Sequence, residues 1–135
     1  MPTLKLTISP LQNPDRYASL ARALTRITAQ QLGKRPEVTA VVIEDLPQAQ
    51  WFVAGRQVQR PAALLEISIT QGTNTQHEKA AFIEAAFSEL QQQLADGGAL
   101  EEASYVIVRE LPASDWGYDG VTQAERKRQR ELVGA

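Results

Sequence analysis

The second residue of the chain is a proline, and its position gives it a chemistry that an internal proline lacks. The aminopeptidase that removes an initiator methionine acts when the next residue is small, and Pro2 meets that condition. Loss of Met1 would leave Pro2 as a free secondary amine, held in a fixed direction by its ring. Such an amine acts as a base near neutral pH where its surroundings disfavour the charged form. The alternative is that Pro2 simply begins a strand, a position in which proline is tolerated.

A strand, a helix and a second strand follow this proline and must position it. Apolar and polar residues alternate from Leu4 to Ile8, as they do in a half-buried strand. Asn13–Pro14 has the residue types preferred at the N-cap and first position of a helix, and Gly33 is expected to end that helix. Residues 38–43 then predict a mostly apolar strand, parallel to the first and buried on both faces.

The same plan occurs again in the second half of the chain. Residues 64–70 predict a third strand, and residues 103–108 predict a fourth. Between them, Thr75 and Glu78 have the spacing of a capping box at the start of a second helix. The apolar face of that helix is assigned to Ile83, Ala86, Phe87, Leu90 and Leu94.

The loops that follow the two halves also match. Leu46–Pro47 corresponds to Leu111–Pro112, and Trp51 corresponds to Trp116, at a shift of 65 residues (116 minus 51). A chance match of these residue types at one spacing is improbable, so we interpret the chain as a duplicated βαβ unit.

One domain of two repeats follows from that duplication, with repeats at residues 1–60 and 61–121 and a charged tail at residues 122–135. The fold class is α+β: a four-stranded mixed sheet that carries two helices on one face. The other face is left to be covered, which predicts oligomerisation.

Composition narrows the functional classes. The net charge is −2, there is no cysteine, and there is one histidine. These values argue against a nucleic-acid partner, an anionic membrane surface, a disulfide framework and a zinc site within one chain. We expect a cytoplasmic protein. The charged tail is interpreted as a solvated terminal helix of mixed charge rather than as an anion-binding or nucleic-acid-binding arm.

Three features together resemble the tautomerase superfamily, typified by 4-oxalocrotonate tautomerase (4-OT) and macrophage migration inhibitory factor. They are Pro2 behind the initiator methionine, the βαβ plan, and a Trp-x-x-x-Gly segment after each second strand. The resemblance implies a long, duplicated member that assembles as a homotrimer, uses Pro2 as its catalytic base and needs no metal or organic cofactor. The position that matches Pro2 in the second repeat is Ala63, which has no free amine, so one site per chain is implied.

The resemblance also implies substrate-binding residues. Lys34 takes the position of a pocket lysine and would hold a substrate carboxylate, or it is a solvated loop lysine. Tyr105 matches a pocket tyrosine supplied by a neighbouring subunit, or it packs in the core or an interface. Trp51 and its duplicate Trp116 would wall the site, or they fill a trimer interface. The strand that offers backbone amides to the pocket carries Ser68 and Ile69.

One departure from the family pattern is important. The two arginines with which 4-OT binds a dicarboxylate have no basic counterpart at the matching positions, and Arg56, Arg60 and Arg109 are the candidates to replace their charge. The sequence therefore predicts a tautomerase acting on a small monocarboxylate 2-keto acid, such as an aryl pyruvate. The alternatives are a non-catalytic trimeric binding protein of the same fold, and a ferredoxin-like domain that binds a small molecule.

Overall fold

A computed structural model describes residues 1–134, so residue 135 of the predicted tail lies outside the described part. Two long helices and four long strands form the body of the domain, two small hairpins project from it, and a third helix ends it. The strands are β1 (Thr3–Ser9), β2 (Ala40–Asp45), β3 (Phe52–Val53), β4 (Arg56–Gln57), β5 (Ala62–Thr70), β6 (Tyr105–Leu111), β7 (Gly117–Tyr118) and β8 (Val121–Thr122). The helices are α1 (Pro14–Leu32), α2 (Gln76–Leu94) and α3 (Gln123–Gly134).

The main sheet has the strand order β2-β1-β5-β6. Strands β1 and β2 are parallel, β5 and β6 are parallel, and β1 and β5 meet antiparallel in the middle. Each long helix therefore connects two neighbouring parallel strands, which confirms the tandem βαβ plan. A ferredoxin-like sheet has a split βαβ arrangement, with another strand between the two. The ferredoxin-like alternative is thus wrong.

The antiparallel pairing of β1 with β5 fixes which chain segments meet at each end of the sheet. Thr3 pairs with Ser68 and Ile8 pairs with Ala63. Pro2, which precedes β1, consequently lies beside Ile69 near the end of β5. The same register puts the start of the second repeat at the opposite end of these strands. There the backbone N–H of Ala63 donates to Ser104 Oγ at 3.0 Å.

The helix ends follow local sequence signals and confirm the predictions. Asn13 Oδ1 accepts a hydrogen bond from the backbone N–H of Arg16 at 3.1 Å, and Gly33 ends α1 in the left-handed region at φ 68°. At the start of α2, Thr75 and Glu78 form the predicted capping box, each side chain bonded to the other residue's backbone N–H. These contacts satisfy backbone donors that the first helical turn leaves unpaired.

The core lies between the two helices and one face of the sheet. Alternate residues of β1 and β5 point into it, as predicted, and all are at most 1 % exposed. They are Leu4, Leu6, Ile8, Leu65, Ile67 and Ile69.

The assignment of the α2 face is partly wrong. Phe82 is fully buried and belongs to the core, whereas Ile83 is 38 % exposed. Ala86, Leu90 and Leu94 are buried as predicted, and Phe87 is half-buried. Residues four apart share a helix face, so Phe82 continues the line of Ala86 and Leu90 and fixes the helix rotation.

Strand β2 also differs from its prediction. It spans Ala40–Asp45 rather than residues 38–43, because residues 36–38 form a short 3-10 turn closed by the Thr39 N–H to Pro36 O bond. It is an edge strand with alternating exposure, and Val42 is 58 % exposed. The prediction that β2 is buried on both faces is therefore wrong, because a parallel strand at the edge of the sheet can keep one face exposed. Strand β6 is likewise shifted, to Tyr105–Leu111 from the predicted 103–108.

The two Trp-x-x-x-Gly segments contain small hairpins. Ala54 and Gly55 turn the first, and Asp119 and Gly120 turn the second, with φ values between 52° and 77°. Positive φ at both central residues is the property of the type I′ turn, which favours Asp-Gly. In the second hairpin, a side chain at Gly117 would collide with the backbone carbonyl of Val121, so the close approach requires glycine there.

The sheet face opposite the two helices has no layer over it within residues 1–134. Tyr105 on this face is 64 % exposed. Arg109 and Glu66 form an ion pair across it at 3.1 Å. None of the helices in these residues combines the length and apolar character needed to cross a bilayer.

Candidate active site

A cavity of about 260 Å³ opens at the end of the sheet where β1 begins and β5 ends. Four segments meet there: the N-terminus, the turn after α1, the loop after β5, and the tail from the second hairpin into α3. The lining residues are Met1, Pro2, Gly33, Lys34, Arg35, Val38, Ile69, Thr70, Thr73, Ala113, Tyr118, Gln123, Lys127 and Arg130.

Pro2 is buried at the base of this cavity, and its carbonyl accepts a hydrogen bond from the Ala40 N–H at 3.2 Å. That bond continues the β1–β2 ladder and fixes the direction of the proline ring. Met1 precedes it, so the Pro2 nitrogen of this chain is an amide and not a base. Burial lowers the pKa of the amine at Met1, and the nearby positive charges of Lys34, Arg130 and Arg35 lower this pKa further.

Lys34 stands at the wall of the cavity because Gly33 ends α1 immediately before it. Its Nζ donates to Thr73 Oγ1 at 2.9 Å, and Thr73 Oγ1 donates to the Thr70 carbonyl at 2.6 Å. Asn74 Nδ2 also donates to Leu32 O at 2.9 Å, which fastens the loop after β5 to the end of α1. Burial lowers the pKa of Lys34, and the negative charge of Glu78 opposes that shift.

The tail covers one side of the cavity, a contact that the sequence did not predict. The backbone N–H of Gln123 donates to Trp116 O, and that of Ala124 donates to Ala113 O, both at 2.9 Å. Gln123 is 7 % exposed, and its Nε2 lies 3.4 Å from the carbonyl oxygen of Met1. The tail is a helix, as predicted, but its first turn is fixed against the N-terminus.

Arg126 holds the tail in place by a second contact. Its Nη2 donates to Tyr118 O at 2.9 Å, and its guanidinium lies 3.8 Å from the centroid of the Tyr118 ring. Both contacts join α3 to the second hairpin. As a result, Lys127 and Arg130 line the cavity.

The structure brings together three of the residues implied by the resemblance: Pro2, Lys34 and Ile69 line the same cavity. Tyr105 does not reach it within one chain. It pairs through Leu64 with Thr7, five residues along β1 from Pro2, which corresponds to roughly 17 Å of strand.

The remaining implied residues also lie outside this cavity. Ser68 is half-buried on β5, opposite Thr3. Trp51 follows β2, whose last residue pairs with Ile8 at the far end of β1. Trp116 lies next to the site, because its carbonyl holds Gln123, but its indole Nε1 is buried without a hydrogen-bond partner among residues 1–134.

None of the three arginines considered as replacements for the family pair lines the cavity of this chain. Arg109 is paired with Glu66, and Arg56 and Arg60 are exposed. Arg35, Lys127 and Arg130 line it instead. The sequence shows that the tail is rich in cationic residues, but no pattern of neighbouring residues indicates that the tail packs beside Pro2.

Residues 1–134 contain no group of three His, Asp or Glu side chains arranged to hold a metal ion. The charged side chains that line the cavity are all cationic, which suits anions rather than metal cations.

Comparison with solved structures decides the fold. A fused 4-OT described as a symmetric trimer superimposes with a TM-score of 0.77 and 25% sequence identity, over 90% of this chain and 96% of that chain. The chain has the tautomerase-superfamily fold. A fused 4-OT described as an asymmetric trimer gives a TM-score of 0.79 at 22% identity, over 92% of this chain and 98% of the other.

The tautomerase fold is also shared with a macrophage migration inhibitory factor-like protein from Entamoeba histolytica, at a TM-score of 0.72 and 20% identity, over 90% of this chain and 97% of that one. No protein-family model and no curated protein sequence matches the chain. The structural matches confirm the resemblance and the duplicated βαβ fold inferred from the sequence.

Proposed function

We propose that this chain is a cofactor-independent tautomerase that uses the Pro2 amine as a general base on a small 2-keto acid. The observation that carries the proposal is the position of Pro2, buried at the base of a cavity with cationic walls. Once Met1 is removed, the neutral amine takes a proton from the carbon next to the substrate carbonyl. The resulting ammonium returns that proton to another carbon or to oxygen, so no atom or electron is gained or lost.

Groups around Pro2 supply the remaining interactions. Lys34 binds the substrate carboxylate through its ammonium group. The developing enolate oxygen needs a fixed donor. Gln123 Nε2 is one, since it lies 3.4 Å from the Met1 carbonyl oxygen, an oxygen that leaves together with Met1. The backbone amides of Ser68 and Ile69, which the resemblance implies, are further candidate donors to this oxygen.

We further propose that the enzyme is a homotrimer. The fused 4-OT structures that this chain resembles are described as trimers. The exposed sheet face, with Tyr105 and Val42 more than half exposed, is the surface available for such packing. In the trimer a neighbouring subunit would bring its Tyr105 to the cavity as an oxygen donor, and Trp51 and Trp116 would enclose the site.

The experiment that tests the proposal measures the intact mass and the tautomerase activity of the same sample. Purified protein is analysed by intact mass spectrometry, and ketonisation of phenylpyruvate enol is followed on the same sample. We expect the form that lacks Met1 to be active and a form that retains Met1 to be inactive, because acylation removes the basic lone pair of the Pro2 nitrogen. Equal activity in both forms would exclude the amine mechanism. A processed protein without activity would favour the non-catalytic binding protein.

The pH dependence of the processed enzyme gives a further prediction. Activity needs a neutral Pro2 and a charged Lys34, so kcat/KM should rise and then fall with pH. Burial and cationic neighbours lower the pKa of the Met1 amine, and Pro2 lines the same cavity. We therefore expect the same surroundings to lower the pKa of a free Pro2 amine and to move the rising limb to lower pH. Burial also lowers the Lys34 pKa, which moves the falling limb below the usual range of lysine.

A Lys34→Arg variant is the control for that profile. Arginine stays charged throughout the accessible pH range. We expect the falling limb to disappear while the rising limb is kept. A falling limb that persists unchanged would show that it does not report Lys34.

A further inference from the structure

Helix α3 is attached to the rest of the chain by few contacts. Gln123 is its only buried residue, and every residue of its last two turns is exposed. Among residues 1–134, two side chains of α3 bond to another element: Gln123 bonds to the Met1 carbonyl and Arg126 bonds to the Tyr118 carbonyl. Core packing therefore does little to fix α3, and its position depends on these contacts and on the backbone bonds of its first turn.

Arg126 makes the stronger of the two side-chain contacts. Its Nη2 donates to Tyr118 O at 2.9 Å, and its guanidinium lies 3.8 Å from the centroid of the Tyr118 ring. A hydrogen bond from a charged donor and a cation–π contact thus act on one residue. The Gln123 bond is neutral, and its length of 3.4 Å lies beyond the usual range for such bonds.

The spacing of these residues connects Arg126 to the cavity. Gln123 and Arg126 are three positions apart, so they lie on the same face of the helix. Lys127 and Arg130, which line the cavity, continue that face. The attachment of Arg126 to the second hairpin therefore turns this face toward the N-terminus and keeps the Gln123 amide at the Met1–Pro2 peptide group.

We propose that Arg126 is a positioning residue, which binds Tyr118 and thereby holds α3 over the cavity with the Gln123 amide at the N-terminus. Without this contact α3 moves away, with two consequences. The N-terminus becomes accessible, whether or not any reaction occurs at Pro2. The enolate oxygen also loses its donor from Gln123, and this second consequence rests on the proposed function.

Trimming of Met1 in the folded protein tests the position of α3 without any turnover. Protein produced with its aminopeptidase inhibited retains Met1 and is then incubated with purified methionine aminopeptidase, and intact mass follows the loss of the methionine. We expect Arg126→Gln to be trimmed at least about tenfold faster than the wild type, because the loss of both Arg126 contacts raises the population of the open state. Arg128→Gln is the matched control. Arg128 binds Glu125 within the same helix at 2.8 Å, so this variant should be trimmed at the wild-type rate.

Two further variants separate the Arg126 contact from a general loss of structure. Arg126→Lys keeps a cation for the Tyr118 ring without the planar guanidinium, so its trimming rate should lie between those of the wild type and Arg126→Gln. Tyr118→Leu removes the ring and answers the same question if circular dichroism shows that Arg126→Gln does not fold. Equal trimming of Arg126→Gln and the wild type would overturn the inference, and so would equal acceleration in Arg128→Gln.

Turnover of phenylpyruvate enol by the processed proteins tests the positioning of Gln123. We expect Arg126→Gln to lower kcat at least about tenfold with little change in KM, because Lys34 still binds the carboxylate. Gln123→Leu should lower kcat to a similar extent, and adding Arg126→Gln to that variant should cause no further loss. Losses that multiply in the double variant would show that Arg126 does not act through Gln123 and would overturn the inference.

The two assays distinguish this inference from the proposed function. Faster trimming of Arg126→Gln, with no turnover by any processed protein, refutes only the proposed function. Turnover that depends on Pro2 and is unchanged in Arg126→Gln refutes only the positioning role of Arg126.

Discussion

A Pro2→Ala variant freed of Met1 should convert phenylpyruvate enol to the ketone at least about a hundredfold more slowly than the wild type. Alanine keeps a terminal amine, so the variant tests more than the presence of a nitrogen. The proline ring fixes the direction of the lone pair relative to β1, where the Pro2 carbonyl is bonded to the Ala40 N–H. A terminal alanine has no ring and rotates freely, so its amine spends little time at the geometry needed for proton transfer.

The matched control is Pro14→Ala, the same substitution at an exposed position in the first turn of α1. Pro14 does not line the cavity, so this variant should keep kcat/KM near the wild-type value. Intact mass must show that Met1 is absent from each protein, and circular dichroism must show that each is folded. Activity in Pro2→Ala close to that of the wild type would show that the proline ring is not needed and would contradict this prediction.

The largest stability effect is expected at Phe82. Truncation to alanine should lower the free energy of unfolding by about 3–5 kcal/mol, because the ring is fully buried and its removal leaves a cavity. Ile83→Ala should cost about 1 kcal/mol or less, since that side chain is 38 % exposed. Urea unfolding measures the change in free energy for both variants. A fixed protein concentration keeps any contribution of subunit association the same in each measurement.

The pair Phe82 and Ile83 also tests the rotation of α2. The sequence assigned Ile83 to the core, and the structure assigns Phe82. If Ile83→Ala were the more destabilising of the two, the core face of α2 would be the one predicted from the sequence.

Features set by neighbouring residues were predictable, and these cover most of the fold. Asn13 and Gly33 begin and end α1 through contacts within a few residues, and the capping box at Thr75 is equally local. The alternation from Leu4 to Ile8 fixed the buried face of β1. The hairpin at Asp119–Gly120 has a clear local signal too, because Asp-Gly favours a type I′ turn, although no hairpin was predicted there.

Features set by distant residues were not predictable. Gln123 contacts the Met1 carbonyl across nearly the full length of the chain, and no local pattern encodes that contact. The charged run around Lys127 and Arg130 has the composition of any solvated helix. The exposure of β2 depends on its place at the sheet edge, which its apolar composition does not reveal. Pro2 and Lys34 could thus be predicted as site residues, whereas the contribution of α3 to the cavity wall became visible only in the tertiary structure.

The contact between Gln123 and Met1 has a consequence for the order of events during synthesis. The N-terminus emerges from the ribosome first, whereas the segment that covers it, α3, is the last to be made. Until that segment emerges, Met1 is accessible to the aminopeptidase. In the folded chain the Met1 carbonyl is held by Gln123, and Met1 itself is half-buried. Under the proposed function, removal of Met1 would therefore precede the docking of α3, and a chain in which α3 docks first would keep the Pro2 nitrogen acylated.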